Sequence, residues 1–242
     1  MAQRTSQTSE PAALVLCPSY KAEFEAIDAR EPCPLLLEVD VCVLSDHEAR
    51  GEDSRSTVAV EWDVKHWFNR GHLMNCAGVS CKHDGRTPDA QRVLWEYVMS
   101  TGRQCFVDHI SDFLWEAIFH SARAQTQGRT ADVAILDVRC EHGRHRSLGW
   151  AYLTVQVLLL LGVRASVLIP QQRLCRCRRC NYAIDPRKLP GIPSICEEIE
   201  LNIVERSKGV VEEPIMVAIE DYIEWQDYLP SSSLRLPASY WQ

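Results

Sequence analysis

Residues 132–169 read DVAILDVRCEHGRHRSLGWAYLTVQVLLLLGVRASVLI. The first eight, 132–139, are a short apolar run of the kind that fills a central buried strand. A polar segment containing Gly143 follows. From about Leu148 to Leu161 the chain is apolar almost without interruption, which suits a buried helix stopped by Gly162. Residues 163–169 are a second strand, stopped by Pro170. Strand, loop, helix and strand in this order make a βαβ unit, so the two strands are expected to be parallel neighbours. The fold class that follows is α/β: a mixed, largely parallel sheet of four or more strands with flanking helices.

Working outward, residues 35–44 (LLLEVDVCVL) and 57–65 (TVAVEWDVK) have the apolar and β-branched character of two further strands. Residues 45–56, charged and carrying Gly51, read as the loop between them. A second loop, rich in His, Asn and Gly, runs from His66 to Thr87. Pro88 belongs to the first turn of a helix with Thr87 as its N-cap. That helix carries Val93, Leu94, Tyr97 and Val98, and Gly102 is expected to end it. Phe106, Ile110, Phe113, Leu114, Ala117, Ile118 and Ser121 recur at helical spacing and predict a helix over 105–124, broken by Gly128. Two more helical patterns occupy about 196–206 and 215–229. The second carries Ile219, Tyr222, Ile223 and Trp225, an apolar stripe that packs on the domain. Three segments result: an N-terminal extension (1–34), the α/β domain (35–170), and a Cys/Arg-rich loop with C-terminal helices that pack on it (171–242).

The 242 residues are 46% hydrophobic and 24% charged, enough for a real core. The net charge of −7 argues against coating nucleic acid through bulk charge. A local basic cluster at Arg173, Arg176, Arg178 and Arg179 keeps RNA as a candidate partner. Leu148–Val163 is the longest apolar stretch and is shorter than the roughly 20 residues of a membrane span. The 11 cysteines are odd in number, and the start of the chain lacks the apolar core of a secretory signal. Reduced thiols and a cytoplasmic location are therefore expected, with organelle targeting left open. A membrane partner is not expected.

The segment between the strand ending at Cys140 and the helix beginning near Ser147 is where the chemistry concentrates. A helix N-terminus offers unpaired N–H donors and a partial positive charge to an anion. Gly143 permits a backbone turn that brings a ligand close. Arg146 offers a planar fork to two phosphate oxygens. Ser147 can cap the helix or donate to the anion, and the positive field lowers the pKa of Cys140. The Walker A pattern is absent from the sequence, which disfavours an ordinary P-loop NTPase.

Two families share this spacing. Cys140, Arg146 and Ser147 fit the C-x5-R-[ST] pattern of cysteine-dependent phosphatases, in which Cys140 would be the nucleophile and Arg146 the stabiliser of transition-state charge. Asp108 or Asp112 would then supply the proton. The residue before the cysteine is usually His in that family and is Arg139 here. The second resemblance, the preferred one, rests on several ordered segments. The loop R-C-E-H-G-R-H-R-S (139–147) resembles G-C-T-G-G-x-H-R-S of the C-terminal domain of the RNase adapter protein RapZ. Trp62-Asp63-Val64-Lys65, followed by H-W-F-N, resembles that family's F-D-V-R and L-P-N-P. Cys76-Ala77-Gly78-Val79 stands where the family has a T-G-L-D-like turn, and an apolar strand lies upstream at 35–44. The likeness spans about 35–170. Glu141 and His142 replace a small T-G pair, Lys65 replaces Arg, and Ser45-Asp46-His47 stands where a basic residue is expected.

The resemblance implies a module that binds an anion without turning it over. In bacterial relatives it senses an amino-sugar phosphate, contributes to small-RNA binding and assembles into oligomers. Cys140, Gly143, His145, Arg146 and Ser147 would hold the phosphate of a sugar, nucleotide or RNA. Asp63 and Lys65, with His66 beside them, would face the same pocket. A homo-oligomer is an expectation of the same kind.

Cys175, Cys177 and Cys180 form C-x-C-x2-C, and Cys196 could complete a zinc set of four thiolates. A ribbon would show two C-x2-C pairs. The spacing alone predicts a reduced basic loop and less than one equivalent of zinc, with no other cofactor. His72 and His83 read as surface residues.

Overall fold

Val39, Val41 and Val43 alternate with Glu38, Asp40 and Cys42, a period of two that pleats the chain and sends the valines to one face. In the computed structural model these residues form strand β1 (Glu38–Ser45), with the valines buried. The structure describes residues 35, 37–48, 58–67, 73, 83–129, 133–169, 174, 175, 177, 180 and 189–227. Strands β2 (Ala59–Asp63), β3 (Ala134–Cys140) and β4 (Arg164–Leu168) complete a four-stranded sheet in the order β2-β3-β1-β4. Every pairing is parallel, and Ser45 at the end of β1 lies opposite Cys140 at the end of β3.

One expectation is corrected here. The strands of the βαβ unit, β3 and β4, are not neighbours, because β1 lies between them. The connecting helix α3 (Arg146–Leu160) rests on β3, β1 and β4. A helix is about 10 Å across and strands lie about 4.8 Å apart, so one helix covers a two-strand step as readily as a single step. Local sequence carries no mark that distinguishes the two. The valine face of β1, apolar throughout, takes the central place.

The helix at Pro88 forms as expected. In α1 (Pro88–Tyr97), the Thr87 hydroxyl accepts the Ala90 N–H at 3.2 Å. Gly102 does not end the helical path. A π-helical segment, Val98–Gly102, carries the chain directly into α2 (Arg103–Thr126). Gly128 follows α2 with φ +66°, a left-handed residue beyond the helix end. The C-terminal helices α4 (Ile192–Ser207) and α5 (Glu213–Asp227) start earlier than periodicity indicates, α4 by four residues. Ile195, Ile199, Ile203, Ile215, Ile219 and Tyr222 are buried, and both helices pack on α2. Arg103 pairs with Glu198, and Arg206 with Asp112. The side chain of Trp225 lies outside the described residues, as do Gly51, residues 1–34 and the turn at 76–79.

An aromatic cluster joins the layers. Trp62 of β2 meets Phe113 of α2 at 6.5 Å, Trp67 meets Trp150 of α3 at 5.5 Å, and Phe106 of α2 meets Trp150 at 5.6 Å. The first two are edge contacts and the third is tilted, and aromatic packing of this kind adds to area burial. No helix among the described residues is long and apolar enough to cross a membrane.

Leu136, fully buried in β3, and Leu201, 66% exposed on α4, make a direct test of this architecture. Leu136→Ala should cost about 2–5 kcal/mol, whereas Leu201→Ala should stay within about 0.5 kcal/mol. Urea unfolding monitored by tryptophan fluorescence reads both, and equal losses would show that β3 is not the core strand.

Candidate functional site

The period of two in β3 decides what the Cys140 loop looks like. Ala134, Leu136, Val138 and Cys140 share the face under the helices, and Cys140 is only 3% exposed. Arg139 points to the opposite face. There it donates to the carbonyls of Ser45 at 2.7 Å and Glu48 at 2.6 Å and pairs with Glu61 at 3.2 Å. The residue before the cysteine therefore ties down the turn after β1 and does not reach the loop interior.

Between Cys140 and Arg146 the chain makes a tight curl. Gly143 has φ +57°, a left-handed conformation that favours glycine, and its N–H donates to the Cys140 carbonyl at 3.2 Å. The Cys140 sulfur lies 3.1 Å from the Ser147 hydroxyl. Burial pushes the thiol's pKa up. The Ser147 hydroxyl and the backbone N–H groups of Ser147, His142 and Arg144 more than offset this, so it falls below the ordinary thiol value. The loop thus gathers N–H donors around one spot at the end of β3, an arrangement that stabilises negative charge. Helix α3 begins two residues earlier than expected, so Arg146 and Ser147 are its first residues. His145 stands at the N-cap without a side-chain capping bond, and Ser147 does not act as the cap.

The site also draws in the end of β2. The Arg146 guanidinium, 7% exposed, donates to the Lys65 carbonyl. The Lys65 ammonium lies 3.1 Å from Asp63 and 3.2 Å from Asp46, and these carboxylates raise its pKa. Burial works to raise the Asp63 pKa, but the Lys65 backbone N–H and ammonium bring the net below the usual carboxylate value. Asp63, Lys65 and Arg146 are therefore adjacent, while His66 is exposed. His145 is 5% exposed, and Glu141 and His142 form an exposed pair 3.8 Å apart.

Neither proton donor considered for a phosphatase is tied to the loop. Asp108 accepts from Gln104 at 2.8 Å on the same helix, and Asp112 pairs with Arg206 of α4.

A second cluster lies next to the loop. The ligand atoms of His83, Cys175, Cys177 and Cys180 all lie within 4.8 Å of one another. The His83 Nδ1 is 3.3 Å from the Cys177 sulfur, 3.5 Å from that of Cys180 and 4.0 Å from that of Cys175. Three thiols and an imidazole can hold a metal ion. The backbone N–H of Cys180, with the neighbouring thiols and His83, draws Cys177 down to about 6. Burial pushes Cys180 up to about 12. Two expectations are corrected: His83 belongs to the group and is not a bystander, and Cys196 does not belong. Cys196 sits on α4, where burial and then Glu200 and Glu197 push it up to about 12. Arg173, Arg176, Arg178, Arg179 and His72 lie outside the described residues.

The segment after His83 binds the two features together. Asp84, fully buried, accepts the Cys175 N–H at 2.8 Å and the Arg86 guanidinium at 2.9 Å. Arg86 also donates to the Cys175 carbonyl at 2.6 Å. Gly85 donates to the Arg144 carbonyl at 3.0 Å. A Cβ on Gly85 would lie 2.0 Å from the His145 carbonyl oxygen and 2.6 Å from the Gly149 nitrogen, so only glycine fits against the loop here.

Comparison of the chain with family models, curated proteins and solved structures finds no match.

Ser147→Ala should raise the pKa of Cys140, because a donor to the thiolate is lost while the burial remains. Peptide-resolved alkylation would then shift to higher pH, and an unshifted profile would exclude the hydroxyl as a cause. The sign for stability is the same: a thiol pKa that is lower in the folded chain than in the unfolded one makes folding more favourable as pH rises through that window, and the variant loses part of that gain.

Proposed function

We propose that this chain is an anion-binding module of the RapZ C-terminal type, which takes the phosphate group of a small molecule without turnover. The observation that carries the reading is the tight curl between Cys140 and the start of α3, left-handed at Gly143 and closed by the Gly143 N–H to Cys140 carbonyl bond, with the His142, Arg144 and Ser147 N–H groups close enough to the Cys140 sulfur to lower its pKa. Amides curled at a helix N-terminus recognise anions through fixed dipoles that need no rearrangement. The topology supports the same place. β1 is followed in sequence by a strand beyond β3, and β3 by a strand beyond β1, so these two adjacent strands lead to opposite edges of the sheet. Ligands of parallel α/β sheets bind at such points. Arg146, His145, Gly143 and Ser147 contact the anion in this reading, Asp63 and Lys65 shape the rim, and Cys140 is the buried floor. Phosphosugars are the first class of ligand, and nucleotides and RNA are the other arms of the test.

The alternative, a cysteine phosphatase with Cys140 as nucleophile, draws support from the lowered pKa. The burial of the sulfur and the separate engagements of Asp108 and Asp112 favour binding. For the His83, Cys175, Cys177 and Cys180 group, zinc is the ion that three thiolates and an imidazole suit best.

Calorimetry with a panel of sugar phosphates, nucleotides and short RNAs tests the main reading. Arg146→Ala should weaken the best ligand by about tenfold or more, since a charge-assisted hydrogen bond is worth about 1.5–3 kcal/mol. Unchanged affinity would refute the assignment of Arg146. Hydrolysis of an aryl phosphate that disappears in Cys140→Ser would establish the phosphatase instead.

A further inference from the structure

We infer that the metal ion held by His83, Cys175, Cys177 and Cys180 is a clasp that fixes the shape of the Cys140 loop. This rests on the metal reading above and adds a role to it. Four protein ligands close a tetrahedral ion to solvent ligands, which is the pattern of a structural site.

The mechanical link is short. His83 is two residues from Gly85, and the Gly85 backbone is in contact with the backbone of His145 and Gly149. Neither side can slide past the other, because the contact is between main chains and no flexible side chain separates them. On the other flank, Asp84 and Arg86 grip both the N–H and the carbonyl of Cys175. His83 and Cys175 are thus joined through hydrogen bonds as well as through the ion. Asp84 has its carboxylate oxygens taken by Arg86 and the Cys175 N–H, so it orients the cluster and is not itself a ligand. Orienting groups of this kind commonly surround metal ligands.

Without the ion, the three thiols and the imidazole are held together only by the weak hydrogen bonds between sulfur and the His83 ring. Beyond these, the 83–86 segment is then tied to the cysteine loop only by Asp84 and Arg86. The Gly85 N–H to Arg144 bond and the support it gives the loop weaken together. The sheet and α4–α5 draw their stability from the apolar core and are unaffected. Metal loading therefore sets how well the loop presents its amides.

The full chain, purified with its metal, would be compared with the same protein after chelation under reducing conditions. Metal content is read by mass spectrometry and loop order by hydrogen–deuterium exchange. The expected result is one zinc per chain, and exchange in peptides covering 141–149 accelerated about tenfold on its removal. Peptides from β1 and β4 should be unchanged. Replacing Cys177 and Cys180 with Ser should reproduce the chelated state. Gly85→Ala should loosen the loop with zinc still bound, which separates the clasp from a general loss of fold. Failure to bind zinc or cobalt, or removal of zinc with no change in loop exchange, would overturn the inference. Titration with inorganic phosphate distinguishes the two readings: zinc-dependent protection without phosphate binding keeps the clasp and removes the anion site.

Discussion

The constraint on which the rest of the structure depends is the two-residue alternation of β3. Its apolar residues Ala134, Leu136 and Val138 must face the helices, and that fixes Cys140 on the same buried side. Arg139 is forced to the far face, where it ties down the turn after β1. A slip of one residue would exchange the two roles. The charged side chain would then lie under α3, and the thiol would leave the amides that surround it. The same alternation in β1 places its valines under α3 and sets the register that brings Ser45 beside Cys140.

Much of this was legible in the sequence because the signals are local. Pro88 after Thr87 marks a helix start through chemistry confined to four residues. Apolar runs bounded by Gly and Pro mark β3, α3 and β4 in the same way. The β1 insertion between β3 and β4 was not legible, since strand order depends on which faces fit together across the domain. The curl after β3 is legible through Gly143, whose left-handed φ is a local property of a glycine. Of the two roles open to Ser147, helix cap or donor to an anion, the structure excludes the cap: the hydroxyl lies 3.1 Å from the Cys140 sulfur and the N-cap is His145.

The group of His83, Cys175, Cys177 and Cys180 shows the other limit. Three of its members are close in sequence and announce themselves as C-x-C-x2-C, but the fourth lies 92 residues before Cys175. A histidine in a polar loop carries no mark of a distant partner. The one available signal was Asp84-Gly85-Arg86 following it, an acid, a glycine and a base just ahead of a helix cap. Their purpose is apparent only once the chain returns from α3 and β4. Cys196 was nearer in sequence to the other cysteines, but its place on the buried side of α4 holds it against the core.

The π-helical segment between α1 and α2 acts as a phase corrector. Leu94, Val98, Gly102, Phe106 and Ile110 follow one another at steps of four and are all buried. In an ordinary α-helix, with about 3.6 residues per turn, four such steps would carry the apolar stripe far around the cylinder. The wider π turn takes up the surplus residue. The rod reaches Phe113 and Ile118 still facing inward, and one continuous helical path serves both the edge that follows His83 and the floor on which α4 and α5 rest. Insertion length in that segment is therefore a rotational coordinate: it sets the angle at which the two halves of the helical layer meet the sheet.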